Sequence, residues 1–153
     1  MITKFYHGTT PEAAAGIMTN GFDVDAKRAH DPGDFGWGTY FTTDWHRARE
    51  MGGPVLLEVE IEMDRLARIE NPYFLHKLEL IEPANEIEWL FFGLAFTADG
   101  MHMKTIHGDR EAVAKQISEA FMERGFTGIT TAYHGDETVI FDTDAIRSIT
   151  WRR

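Results

Sequence analysis

Residues 55–62 read VLLEVEIE, and no other segment restricts the fold as much. Val55, Leu57, Val59 and Ile61 fall on one side of an extended chain, while Leu56, Glu58, Glu60 and Glu62 fall on the other. Side chains of a strand alternate between faces, so this period of two predicts a half-buried β-strand with an acidic outer face. Its apolar row must be covered by a second layer, which makes the chain a packed sheet protein rather than a helical bundle.

The remaining elements follow from local signals. Residues 2–7 read as a short strand ending at Gly8. Thr10-Pro11-Glu12 is a helix start, with a hydroxyl cap, a proline at the first helical position and an acid in the first turn. That helix carries Ala14, Ile17 and Met18, and Gly21 ends it. Residues 23–36 are polar and rich in turn formers, a loop long enough to have a function of its own. A strand is predicted over 38–42, and then a short helix capped by Asp44 and closed by Gly52-Gly53. Val113, Ile117 and Phe121 lie four apart and predict an amphipathic helix between Asp109 and Gly125. Three strands are predicted at the end, over 127–132, 137–142 and 146–151. The middle, 64–106, reads less clearly; Glu79, Glu82, Glu86 and Glu88 suggest a largely solvated helical or mixed segment. Strands lead and close the chain with helices between, and no regular βαβ alternation appears. The expectation is one α+β domain over 1–153 with largely antiparallel sheets.

Composition removes several classes of function. The 153 residues include no cysteine, so a disulfide framework, a thiolate nucleophile and a zinc-thiolate site are all excluded. The seven histidines lack HExxH spacing, and no metal is expected. Net charge is −10, which repels phosphate backbones over most of the surface and disfavours nucleic acid as a partner. Lys27, Arg28, Arg47, Arg49, Arg152 and Arg153 could form only local basic spots. The longest apolar run, Trp89 to Phe96, is interrupted by Gly93 and is too short for a membrane span. MITKFYHG lacks the charged-then-apolar layout of a secretory signal, so the expected location is the cytoplasm. Delivery into another cell by a signal-less route is compatible with the same sequence.

Three short segments place chemically useful side chains at strand edges or turns: FYHGT at 5–9, DFGWGTYF at 34–41 and GDETVIFD at 135–142. His7 can donate or accept a hydrogen bond, and Gly8 lets a ligand approach the backbone. Taken alone, His7 also reads as a strand-end histidine beside a turn glycine. Gly36 and Gly38 flank Trp37 in a close-approach turn that matches neither phosphate-loop pattern. Tyr40 emerges from that turn and could stack on a flat heterocycle, or serve as a core aromatic. Glu137 opens a β-branched and aromatic strand and shares a face with Val139 and Phe141. It is either a solvated edge acid or a carboxylate held for a purpose.

In this order the three segments resemble the His–Tyr–Glu branch of the ADP-ribosyltransferases, the group of diphtheria toxin and the poly(ADP-ribose) polymerases. His7-Gly8-Thr9 matches the histidine-glycine-small motif of the first strand, and the loop at 23–34 matches the donor loop. Phe35-Gly36-Trp37-Gly38-Thr39-Tyr40-Phe41 matches the phenylalanine-glycine-x-glycine-x-tyrosine-phenylalanine stretch. Asp136-Glu137-Thr138-Val139-Ile140-Phe141-Asp142 matches the acid that precedes a strand ending in aspartate. The likeness covers the two ends of the chain, about half its length.

The resemblance implies two packed, mainly antiparallel sheets around an NAD cleft with flanking helices. NAD would be a co-substrate, with no metal. His7 would bind a ribose hydroxyl on the adenosine side, Gly8 backbone groups the nicotinamide carboxamide, and Tyr40 the nicotinamide ring. Thr9, Phe35, Gly38 and Phe41 would complete the NAD-binding set. Glu137 would hold the 2′-hydroxyl of the nicotinamide ribose and stabilise positive charge developing on the sugar. Tyr133 and His134, on the loop before Glu137, would recognise the acceptor. Elongating polymerases place a serine and a second aromatic on the next helix, where this chain has Ala48 and Met51, so Trp45 or Phe35 would have to supply the other side of the ring. Arginine-modifying members carry Glu or Gln two residues before the catalytic acid, where this chain has Gly135. The implied activity is therefore single transfer of ADP-ribose to a protein or small molecule, by a toxin, an effector or a phage-type host-modifying protein. Alternatives on the same fold are a catalytically silent NAD-binding or interaction module and an NAD glycohydrolase. An RNA 2′-phosphotransferase would need a set of basic residues around the motifs, and none is present.

Overall fold

The computed structural model describes residues 1–23, 35–70, 85–95, 110–131 and 137–152. In chain order these form β1 (Ile2–Thr9), α1 (Pro11–Asn20), β2 (Thr39–Phe41), α2 (Trp45–Gly52), β3 (Val55–Glu62) and β4 (Leu66–Ile69). After them come α3 (Glu86–Ala95), α4 (Arg110–Glu123), β5 (Gly128–Thr131), β6 (Thr138–Ile140) and β7 (Ile146–Arg152). The protein is α+β, with two mainly antiparallel sheets, as the order of elements implied.

The first sheet has the order β1-β3-β7, antiparallel throughout, so the strand read most clearly from sequence is its centre. Leu57, Val59 and Ile61 are completely buried on its inner face, and Glu60 faces solvent. Glu58, also on the outer face, is bracketed by Lys4 at 3.4 Å and Arg152 at 3.0 Å. These pairs are on the surface and each contributes only about 0–1 kcal/mol; the apolar row does the holding.

The second sheet has the order β2-β6-β5-β4. Its β2–β6 and β6–β5 pairs are antiparallel, whereas β4 and β5 run parallel. A parallel pair needs a long crossover, and here α3 and α4 lie between the two strands in sequence. At four residues β4 is too short to show a clear period, which is why 64–106 resists reading.

Two cores result. One lies between the sheets: Phe5, Leu57, Val59 and Ile61 meet Phe41 and Ile140, with Ala14 and Ile17 of α1 closing the side. The other lies on the far face of the second sheet, where Ala67, Ile69, Ile129 and Val139 are covered by Phe91 of α3, Ile117 and Phe121 of α4, and Phe35. β6 serves both, Ile140 on one side and Val139 on the other, as a period of two requires.

Local signals act as expected. The Thr10 hydroxyl accepts the Ala13 N–H at 3.2 Å, and Gly21 closes α1 with φ at 80°. The Asp44 carboxylate accepts the His46 and Arg47 N–H groups at 3.0 and 3.4 Å. Glu79 and Glu82 lie outside the described residues and Glu86 is exposed, but Glu88 is fully buried rather than solvated. Its carboxylate accepts the Glu70 N–H at 3.2 Å and the Asn85 side-chain amide at 3.3 Å, so α3 is tied to the end of β4 by a buried acid.

α2 lies against β1 with backbone in contact with backbone. A Cβ on Gly8 would collide with the Ala48 carbonyl, and one on Gly52 would collide with the Gly8 carbonyl. Neither obstacle is a side chain that could swing aside. Gly8→Ala is expected to destabilise by about 1–3 kcal/mol or more through overpacking. Gly16→Ala, inside α1 with open space around it, is expected to stabilise by about 0.4–1 kcal/mol. Urea unfolding of both variants checks the contrast.

Candidate functional site

The two sheets are joined by a fork between β1 and β2. Tyr6 and Thr42 exchange both backbone hydrogen bonds, Tyr6 N–H to Thr42 O at 2.7 Å and Thr42 N–H to Tyr6 O at 3.1 Å. There the ladder stops. β1 stays in the first sheet against β3, and β2 passes into the second against β6.

His7 sits at the split. Its Nδ1 lies 2.9 Å from the Tyr40 carbonyl oxygen. A carbonyl only accepts, so Nδ1 carries the proton and, in the neutral ring, Nε2 is the acceptor nitrogen. The ring is held edge-on to Phe22 at 5.1 Å and tilted on Phe41 at 5.5 Å, which leaves it 8% exposed. A side chain thus occupies the acceptor that the next rung of the ladder would have used.

Gly8 follows from the same register. Along a strand, N–H and C=O of residues two apart point to the same edge, so Gly8 aims its amide and carbonyl where Tyr6 does. By that point β2 has diverged, and no backbone hydrogen bond joins Gly8 to β2 among the described residues. Gly8 is buried. Thr9, the next residue, is buried where β1 ends against Val55.

Tyr40 pairs with Val139 across β2–β6, so the two side chains share a face, and Glu137, two residues before Val139, shares it too. Both Tyr40 and Glu137 are half-buried. The Glu137 carbonyl accepts the Thr131 N–H at 2.9 Å and the Thr131 hydroxyl at 3.2 Å, which fixes its backbone to β5. The Tyr40 hydroxyl donates to the Gly36 carbonyl at 2.8 Å and accepts the Phe35 N–H at 3.0 Å. The tyrosine therefore closes the glycine turn that precedes it.

That turn is also clamped from α4. The Ser118 hydroxyl accepts the Trp37 N–H at 2.6 Å and lies 2.8 Å from the Trp37 carbonyl. Gly36 has φ at 120° and lies under the Phe141 ring, while a Cβ on Gly38 would strike the Ile140 carbonyl. Phe35 and Phe41 are each 1% exposed; Phe35 stacks on Phe91 at 5.5 Å in the helix-covered core, and Phe41 lies between the sheets. Their rings support the site from behind and do not line it.

The structure places His7, Gly8 and Tyr40 at the fork, with His7 on the inter-sheet face and Tyr40 on the other, the face that Glu137 shares where its backbone is tied to β5. Tyr133 and His134 lie outside the described residues, as does most of the loop at 23–34. Thr42, the last rung before the split, gave no signal in the sequence beyond its place in a Thr-Thr-Asp helix start. Beyond the fork, a pocket of about 210 Å³ opens on the outer face of the first sheet, lined by Tyr6, Trp45, Arg49, Leu56 and Arg152. The Arg49 guanidinium lies over the Trp45 ring at 5.2 Å. Among the described residues no group of three or more histidines and acids could hold a metal ion, and no helix is long and apolar enough to cross a membrane.

No protein-family model matches the chain, and no curated protein matches it. Among solved structures, the crystal structure of an anti-CRISPR protein superposes with a TM-score of 0.43 at 12% sequence identity, covering 99% of this chain and 96% of that one.

Tyr40→Phe keeps the ring and removes both bonds of the hydroxyl. It is expected to destabilise by about 1–3 kcal/mol. Hydrogen exchange at the Phe35 amide, which loses its acceptor, is expected to speed up, and that measurement separates loss of the turn from a general loss of stability.

Proposed function

We propose that this protein is an NAD-dependent mono-ADP-ribosyltransferase, with an ADP-ribosyltransferase fold and its NAD cleft at the fork. The observation that carries the reading is the state of Gly8. A buried amide and carbonyl aimed at an edge with no ladder partner among the described residues form a donor–acceptor pair, the complement of a carboxamide. Register continued from Tyr6–Thr42 sets Gly8 opposite Tyr40, whose half-buried ring could stack on the heterocycle bearing that carboxamide.

The remaining residues fit the same donor. Glu137 lies on the Tyr40 face, where its carboxylate could hold a ribose hydroxyl and stabilise positive charge on the sugar as nicotinamide departs. Nicotinamide leaves with the electron pair of the C1′–N bond; the acceptor then forms its bond to C1′ and releases a proton to solvent. His7 has its ring fixed by the Tyr40 carbonyl, which orients Nε2 for a hydroxyl of the adenosine-side ribose. The acceptor is a protein or a small molecule, since the net charge of −10 works against nucleic acid, and the site of action is the cytoplasm.

A second reading, a silent NAD-binding module, draws on Met51. It stands where elongating members have an aromatic, and it is 56% exposed at the end of α2. One experiment covers both. The protein is incubated with NAD and released nicotinamide is quantified beside an NAD binding isotherm. Release is expected, and Glu137→Gln should lower it by about 10²–10³-fold with NAD affinity little changed. Release undiminished in Glu137→Gln would refute the catalytic assignment, whereas binding without release in the wild-type protein favours the module.

A further inference from the structure

Two buried side-chain polar atoms among the described residues have no hydrogen-bond partner, Thr39 Oγ1 and Arg47 Nε. The guanidinium is the anomaly. A buried donor on a permanent charge loses its hydration and gains nothing in return. Scarcity of carboxylates does not explain it, because acids outnumber basic residues 25 to 15. Elsewhere cations find them: Lys4 and Arg152 meet Glu58, Arg68 meets Glu70, and Lys115 meets Glu111.

Where Arg47 lies on α2 indicates what it is kept for. Ala48 and Gly52 sit against Gly8, so that side of the helix faces β1. Trp45 and Arg49 line the outer pocket with Leu56 of β3 and Arg152 of β7, so that flank leans over the rest of the first sheet. At about 100° per residue, Arg47 and Met51 fall on the opposite flank, toward the edge of β1 that beyond Tyr6 has no strand partner among the described residues. This is the edge at which Gly8 aims its amide and carbonyl and beyond which Tyr40 lies.

We infer that Arg47 is the anion-binding residue of the fork and takes a phosphate-bearing ligand, which on the function proposed above is the diphosphate of NAD. A guanidinium presents several donors in one plane and suits an anion with adjacent oxygens. The free state leaves Nε buried without a hydrogen-bond partner; the ligand completes it. The inference rests on the NAD reading but adds to it a residue that none of the three motifs contains.

The test compares two ligands by isothermal titration against wild-type protein, Arg47→Ala and Arg47→Lys. NAD carries the diphosphate; nicotinamide riboside has the same ring and ribose and no phosphate. Arg47→Ala is expected to weaken NAD by about tenfold or more while nicotinamide riboside is unaffected, with Arg47→Lys between. Because the lost group has no partner in the free protein, the melting temperature of Arg47→Ala should not fall. Wild-type affinity for NAD in Arg47→Ala, or equal weakening of both ligands, overturns the role of Arg47 and leaves the NAD reading standing. Failure of the wild-type protein to bind NAD at all overturns both.

Discussion

The fold depends on a ladder that ends after one rung. β1 and β2 bond at Tyr6 and Thr42 and then part, and His7 takes the Tyr40 carbonyl that a continued ladder would have used. Had pairing continued, β1 and β2 would lie in one continuous sheet, with Gly8 consumed by an ordinary rung. Because it stops, the chain forms two sheets with a core between them, and among the described residues Gly8 has no backbone partner on the β2 side. Strand edges are usually covered or blunted because they attract further pairing. Here the residue that follows the last rung is a glycine, with the backbone of α2 packed directly against it.

Glycines make that arrangement possible at two contacts. Gly8 and Gly52 let α2 touch β1 through backbone alone. Gly36 and Gly38 let the turn before β2 pass beneath Phe141 and against β6, and Ser118 and the Tyr40 hydroxyl then fix it. A half-buried tyrosine held by its own turn keeps its ring in place before any ligand arrives, which reduces the ordering that binding would otherwise require.

Much of this was legible in the sequence, and the limits have physical causes. β3 was readable because one face is wholly apolar and the other mostly acidic; α1 and α2 were readable because Thr10 and Asp44 are local caps whose partners lie two or three residues away. β4 was not, since four residues cannot establish a period and its partner β5 is about sixty residues on. Glu88 looked like one more solvated acid, because nothing local distinguishes a carboxylate whose partners are Glu70 N–H and Asn85. At the site, His7, Tyr40 and Glu137 could be picked out by residue type and order. The fork itself could not, because it depends on where a ladder stops, which is a property of two strands in register. Arg47 was visible only as a member of a basic spot, and its missing partner is a fact of packing.

On the proposed function, the backbone amide and carbonyl of Gly8 receive the nicotinamide end of NAD. An amide-resolved NMR titration of the intact protein with NAD tests it most directly. The Gly8 amide resonance is expected to shift early and saturably, with Tyr40 and Glu137 moving along the same isotherm. A Gly8 amide that stays unmoved while NAD saturates the protein, or a spectrum that NAD leaves unchanged, would contradict the claim.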